Sequence, residues 1–372
     1  GWYHPLDFTQ LWQMRLSPAF IDYVTFDLVP TLPPVILDSG VYVIANGDTI
    51  EGIRPPGEVL WRVQADGVIT GIAALSGERV VAHTRNGQAV ALQNGRYAAL
   101  WDVPGPDEPF AVLGETLVFV TDEGGLAAFD AAGLGLWTLP STPGALVVDF
   151  RGNGATEADG GEVALSLRTP EGVSLRLVDA AGGVTYDEHM LRAPVIAPTA
   201  SGSWMVLEGT QLARIDPNVT ESAQSVSQSL GTVSPPPGRT ASLTADMLGN
   251  SYVHLGDNDD TLVAFGPSGE LRWRVDYPPT DNVLPPLMRT GNGCLLYALD
   301  ADGKFNIFNT ANGELLTQMQ LYSGGNESSR PRARVLNVDA AEHINIAGGF
   351  LTMVTMDGWL LGGEVMQNCR MG

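Results

Sequence analysis

Few stretches of this sequence have residue types and spacing suited to chemistry. The run Asp149-Phe150-Arg151-Gly152-Asn153-Gly154-Ala155-Thr156-Glu157-Ala158-Asp159-Gly160-Gly161-Glu162 gathers oxygen donors among glycines. Calcium takes about six to eight oxygen ligands, and glycines let a loop fold its carbonyls inward. Asp149, Asn153, Glu157 and Asp159 are therefore candidate calcium ligands. The competing reading is a solvated hairpin loop between the apolar runs 145–148 and 163–167. Asp257-Asn258-Asp259-Asp260 is a second acidic cluster, read as a turn ahead of a strand. The two cysteines, Cys294 and Cys369, can pair in an oxidising compartment and pin the C-terminus to its neighbour. The alternative is one buried and one exposed thiol.

Catalytic signatures are sparse. His4, His83, His189, His254 and His343 form no pair at metal-ligand spacing. There is no Gly-x-Ser-x-Gly elbow and no Gly-x4-Gly-Lys phosphate loop. With 42 acidic residues, a carboxylate pair for glycoside cleavage stays open, as does a site assembled from scattered loops. The expectation is a non-enzymatic protein without a cofactor, calcium apart.

The formal charge of −22 argues against nucleic acid and anionic membrane surfaces as partners. No run of about 18 apolar residues marks a membrane-spanning helix. The chain begins at Gly1 rather than Met, which fits a product from which a signal peptide or anchor has been removed. Two sequons, Asn218-Val219-Thr220 and Asn326-Glu327-Ser328, bear on glycosylation only if the protein is exported.

The elements that must position these residues are short strands. In residues 260–275, Leu262 and Ala264 alternate with their neighbours. Pro267-Ser268-Gly269 supplies a tight turn, and Leu271, Trp273 and Val275 then form one apolar row opposite Glu270, Arg272 and Arg274. One hairpin is barely stable alone, and the pattern recurs around Trp61, Trp101, Trp137, Tyr186 and Gly313-Glu314-Leu315. A period of about 40 to 45 residues built of short strands is the signature of a β-propeller with four-stranded blades. Seven blades are expected at 33–65, 68–104, 108–140, 144–190, 193–230, 238–278 and 283–322. The eighth comprises 329–367 completed by an N-terminal strand at 8–16, so that residues 33–372 and this strand make one domain behind an N-terminal segment, 1–32. A seven-bladed ring is the alternative if 193–230 is an insertion. Ser222 to Gly238 is expected as a mobile loop.

The order in Phe265-Gly266-Pro267-Ser268-Gly269-Glu270-Leu271-Arg272-Trp273 and Phe308-Asn309-Thr310-Ala311-Asn312-Gly313-Glu314-Leu315 resembles the pyrroloquinoline-quinone-like repeat. That repeat is shared by quinoprotein dehydrogenases and the outer-membrane assembly lipoprotein of the BamB type. Asp246-Met247-Leu248-Gly249-Asn250-Ser251-Tyr252-Val253 is similar to the family's opening strand. The acidic run at 149–162 also resembles calcium loops of integrin-like blades, departing from them at Arg151 and Ala155. The resemblance implies an extracytoplasmic scaffold (periplasmic, cell-surface or secreted) that binds proteins within a larger assembly. Against a quinoprotein enzyme stand the missing pair of adjacent cysteines and tryptophans placed for packing between blades. A funnel-site hydrolase and a calcium-supported glycan-binding or adhesion module are the remaining alternatives.

Overall fold

The computed structural model describes residues 8–15, 19–20, 32, 34–54, 58–105, 109–153, 161–199, 202–216, 226–232, 240–256, 260–278, 285–290, 293–300, 304–320, 332–338, 343–351 and 355–365. Among them there is no α-helix; one 3-10 turn, Asp122–Gly124, interrupts the strands. The strands assemble into antiparallel sheets in sequence order. Sheets 1 to 7 span 35–64, 69–102, 110–139, 146–190, 195–232, 240–276 and 287–320, with four strands each. Sheet 8 spans 332–365 and adds Phe8–Arg15 beside Thr355–Val365, with Ala19–Phe20 pairing the same strand.

Two compact units divide the chain: one carries sheets 1 to 5, the other sheets 6 to 8 with the N-terminal strands. Within each unit, successive sheets meet through their first strands, as Phe110–Leu113 meets Leu146–Asn153 and Thr240–Ala245 meets Leu287–Thr290. Strands inside the sheets are buried, as in Thr116–Val120 and Thr261–Phe265; the first packs on sheet 2 through one face and on sheet 4 through the other. Fourth strands are mostly exposed, with intermediate or buried residues only at intervals, since they lie at the sheet edge.

The hairpin at 260–275 shows how local sequence builds the unit. Gly269 takes φ +88°, a conformation free of penalty only for glycine, and its N–H donates to Gly266 O at 3.0 Å. Pairing runs Leu262↔Val275, Val263↔Arg274 and Ala264↔Trp273, then slips to Phe265↔Leu271. The slip is a β-bulge with Arg272 as the extra residue, and it reverses the side-chain phase. Trp273 is consequently buried while Leu271 is 61% exposed, so the expected apolar row loses its first member. The same slip recurs at Ala128/Phe129, Leu177/Val178 and Ile307/Phe308.

The structure changes other expected boundaries. The strand expected to end at Val148 continues to Asn153, because Arg151, Gly152 and Asn153 pair with Ala164, Val163 and Glu162. Val226–Thr232, placed in the expected mobile loop, is instead the fourth strand of sheet 5, its backbone paired with Gln211–Asp216. The rest of that loop lies outside the described residues. Cys294 immediately precedes the strand Leu295–Leu299 rather than lying in it.

Candidate functional site

The tryptophans act between sheets. The Trp101 indole of sheet 2 lies against Gly133 of sheet 3, where an added Cβ would sit 2.7 Å from the ring. Trp137 of sheet 3 covers Gly182 of sheet 4 and donates Nε1–H to Ala180 O at 2.9 Å. Trp273 of sheet 6 covers Gly313 of sheet 7 and donates to Thr310 O at 2.7 Å. Trp61 approaches Gly95 in the same way. Each glycine has positive φ, so it both makes the hairpin turn and leaves room for the neighbour's ring. Sequence reading finds the tryptophan and the glycine as parts of one hairpin; the structure pairs each tryptophan with the glycine of the following copy.

The buried polar groups are also structural. Asp246 accepts through Oδ1 from the N–H groups of Leu248 and Asn250, both at 2.9 Å, and through Oδ2 from Asn250 Nδ2 and Tyr252 OH. Tyr277 OH donates to Asp300 Oδ1 at 2.8 Å and accepts from Asn306 Nδ2, whose Oδ1 is held by Gln318. Burial, followed by the adjacent Asp246 or Asp300 charge, raises the Tyr252 and Tyr277 phenols far above their ordinary range. Tyr186 is pushed up to about 12 by burial and by Glu188 and Glu208. Glu162 is raised by burial while accepting from Thr185 Oγ1 at 2.7 Å and Trp204 Nε1 at 3.1 Å. These groups are committed to one another and offer no poised base.

The histidines are dispersed. His83 is buried in sheet 2 against Phe110 and Phe119, with Nδ1 3.5 Å from Thr70 Oγ1. His254 is 2% exposed in sheet 6, edge-on to Tyr277, with Nε2 3.9 Å from Asp260 Oδ1; burial drives its pKa down to about 4. His189 is exposed on the edge of sheet 4, and His4 lies outside the described residues.

Of the candidate calcium ligands, Asp149 is bound by the Arg151 guanidinium, Nε to Oδ1 at 3.1 Å. Asp149 and Asn153 occupy one strand four residues apart, about 13 Å along the backbone at the usual rise. Glu157 and Asp159 lie outside the described residues, as does Cys369. Among the described residues no three metal-ligating side chains gather. Among the described side chains, Trp61, Trp101, Trp137 and Trp273 lie against neighbouring glycines and Trp204 donates to Glu162, so these five are taken up by packing.

Apolar side chains also face outward among the charged ones. Leu191, in the connection between sheets 4 and 5, is 97% exposed. It is not there by looseness: the N–H groups of Leu191 and Arg192 both donate to Glu208 Oε1, the second at 3.0 Å. Arg192 Cδ lies near the space beside Gly209, which turns with φ +57°. Sequence reading passed over this Leu-Arg-Ala-Pro connection, since one leucine between two strands carries no periodic signal. Among the described residues no helix is long and apolar enough to cross a membrane.

The family model described as outer membrane protein assembly factor BamB matches residues 10–201, more than half of the 372 residues. The chain belongs to this family. BamB from Moraxella catarrhalis is 17% identical, with a TM-score of 0.61 over 98% of this chain and 100% of that one. Quinohemoprotein alcohol dehydrogenase from Comamonas testosteroni is 12% identical, with a TM-score of 0.62 over 98% of this chain and 78% of that one. The C-terminal WD40 domain of Sif2 is 12% identical, with a TM-score of 0.64 over 97% and 99%. None of the curated proteins matches by sequence. At such identities the likeness shows the fold alone: this BamB-family chain has the all-β, propeller-type architecture that carries scaffolds and dehydrogenases alike.

Proposed function

We propose that this protein is a non-catalytic, extracytoplasmic β-propeller that binds another protein within a cell-envelope assembly. On this reading the eight sheets are the blades of one ring, which is supported by Phe8–Arg15 taking the fourth place in the last sheet. The observation that carries the reading is Leu191, a fully projecting leucine whose backbone is fixed by Glu208. A rigidly held apolar residue loses little freedom on binding and gains by burial, the behaviour of an interface anchor.

Capture of the native protein by cross-linking and mass spectrometry, compared with a Leu191→Asp variant, tests this. The expected result is a stoichiometric partner retained by the native chain and lost by the variant, with thermal midpoints unchanged. A lone native protein, or a variant that keeps the partner, defeats the reading. The dehydrogenase alternative is addressed directly by adding the quinone with calcium and following absorbance and dye reduction.

A further inference from the structure

From Ala131 to Val148 the chain carries no charged residue, although 17% of the whole is charged and the net charge is −22. This stretch contains the fourth strand of sheet 3, Gly135–Leu139, which pairs with Leu126–Phe129 on one side and ends the sheet on the other. Its inward row, Trp137 and Leu139, packs on the core between sheets 3 and 4. Its outward side chains are Leu136, 47% exposed, and Thr138, with Leu134, 66% exposed, just before the strand. Pairing skips from Phe129↔Gly135 to Ala128↔Trp137, so Leu136 is the residue that the bulge turns outward.

Four of the other edge strands are guarded, whereas Val226–Thr232 in sheet 5 and Leu315–Gln320 in sheet 7 carry no charge. Exposed charges stand on those four: Arg62 in sheet 1, Asp102 in sheet 2, Asp187 in sheet 4 and Arg274 in sheet 6. Charges on an edge are the usual defence against pairing with a foreign strand, because a strand docking there must strip them of water. Sheet 3, like sheet 7, does without that defence, and its Leu134 and Leu136 are more exposed than Leu315 of sheet 7, which is 40% exposed.

The geometry points to this edge as a docking site for an extended segment of another polypeptide, added as a further antiparallel or parallel strand. The open backbone edge fixes the occupant as a strand, since only a second ladder pairs its N–H and C=O groups. Leu134 and Leu136 call for apolar residues at alternate positions. The overall charge of −22 favours basic residues flanking that segment. The same charge disfavours a second copy of this chain. The inference rests on the scaffold reading and names the mode of partner binding at a place remote in sequence from Leu191.

The test uses the full chain and a dye-labelled peptide of alternating leucine and threonine with two lysines at each end. A twin peptide has alternate amide nitrogens methylated, which removes the ladder and keeps the side chains. The expected result is saturable binding seen by anisotropy, with hydrogen-exchange protection confined to residues 134–140. Leu136→Lys, on an exposed position, weakens binding about tenfold or more, the loss expected for one buried leucine, and methylation abolishes it. Equal binding of the methylated peptide, protection elsewhere, no binding, or indifference to Leu136→Lys each overturns the proposal. So does self-association that Leu136→Lys abolishes, which would make the occupant a second copy. The Leu191→Asp variant binds the peptide like the native chain, so failure of the loop reading and failure of this one are told apart.

Discussion

If each tryptophan docks on the following sheet's glycine, then adding one methyl group at that glycine must cost more than its backbone conformation explains. Sheet 3 provides the experiment and its control. Gly133 has φ +85° and an added Cβ would lie 2.7 to 2.9 Å from Trp101 ring atoms, whereas Gly114 has φ +60° and nothing within 4 Å. Gly114→Ala incurs only the left-handed penalty, about 1–2 kcal/mol, partly offset by the lower entropy of unfolded alanine. Gly133→Ala adds displacement of an indole by about 1 Å from normal contact, an overpacking cost of roughly 1–3 kcal/mol. The expected difference is about 2 kcal/mol, or ~4–8 °C for a unit of this size. Urea and thermal unfolding of both variants measure it. The cycle with Trp101→Ala then isolates the contact: once the indole is gone, Gly133→Ala should cost no more than Gly114→Ala. Equal destabilisation by the two alanines in the native background, or strict additivity with Trp101→Ala, would refute the docking argument.

Four further outcomes are expected. Trp137→Phe and Trp273→Phe should each destabilise by about 1–2 kcal/mol through loss of the Ala180 and Thr310 hydrogen bonds. Trp101→Phe should cost less, since its Nε1–H is buried without a hydrogen-bond partner; the ranking is read from urea midpoints. His254 has a folded pKa of about 4 against an ordinary 6.5, so its neutral form belongs to the folded state. Stability is full above pH 6.5 and falls by about 1.4 kcal/mol per pH unit as the pH drops toward 4; a His254→Phe variant should lack this slope between pH 6.5 and 5, and a parallel slope in both proteins would contradict it. If residues 153–159 hold calcium, chelation lowers the thermal midpoint and calcium restores it, with Glu157→Gln and Asp159→Asn abolishing the response and Asp149→Asn, already engaged by Arg151, leaving it intact. A Cys294–Cys369 bridge would appear as a mass two hydrogens below the reduced chain, with a linked peptide pair on non-reducing digestion.

The sheets were legible because the repeat writes the same physical demand many times. A buried third strand, a turn glycine and an edge strand with one large ring recur from Leu126–Trp137 to Leu262–Trp273, and each copy corroborates the others. The N-terminal strand was legible for a related reason: Trp12 and Met14 alternate with Gln13 and Arg15, and such a strand needs a partner edge, which Thr355–Val365 provides. What escaped was phase and pairing between copies. The bulge at Arg272 has no residue signature of its own, so Leu271 read as core when it is exposed. Composition likewise misled at Val226–Thr232, where Ser and Gln suggested a loop but the open side of Gln211–Asp216 recruits a strand.

The features on which the proposed function rests were least legible because they depart from the repeat. Leu191 matters through the two N–H groups that Glu208 holds, a contact between residues 17 apart that no local pattern announces. The uncharged edge of sheet 3 is visible as a bare stretch of sequence, yet its meaning depends on knowing that Gly135–Leu139 ends its sheet while charged counterparts guard the edges of sheets 1, 2, 4 and 6. In a repeat protein the shared residues explain why the fold stands. The residues that one copy refuses to share are where a partner can tell that copy from the rest, since a binding site on identical blades would be offered many times over.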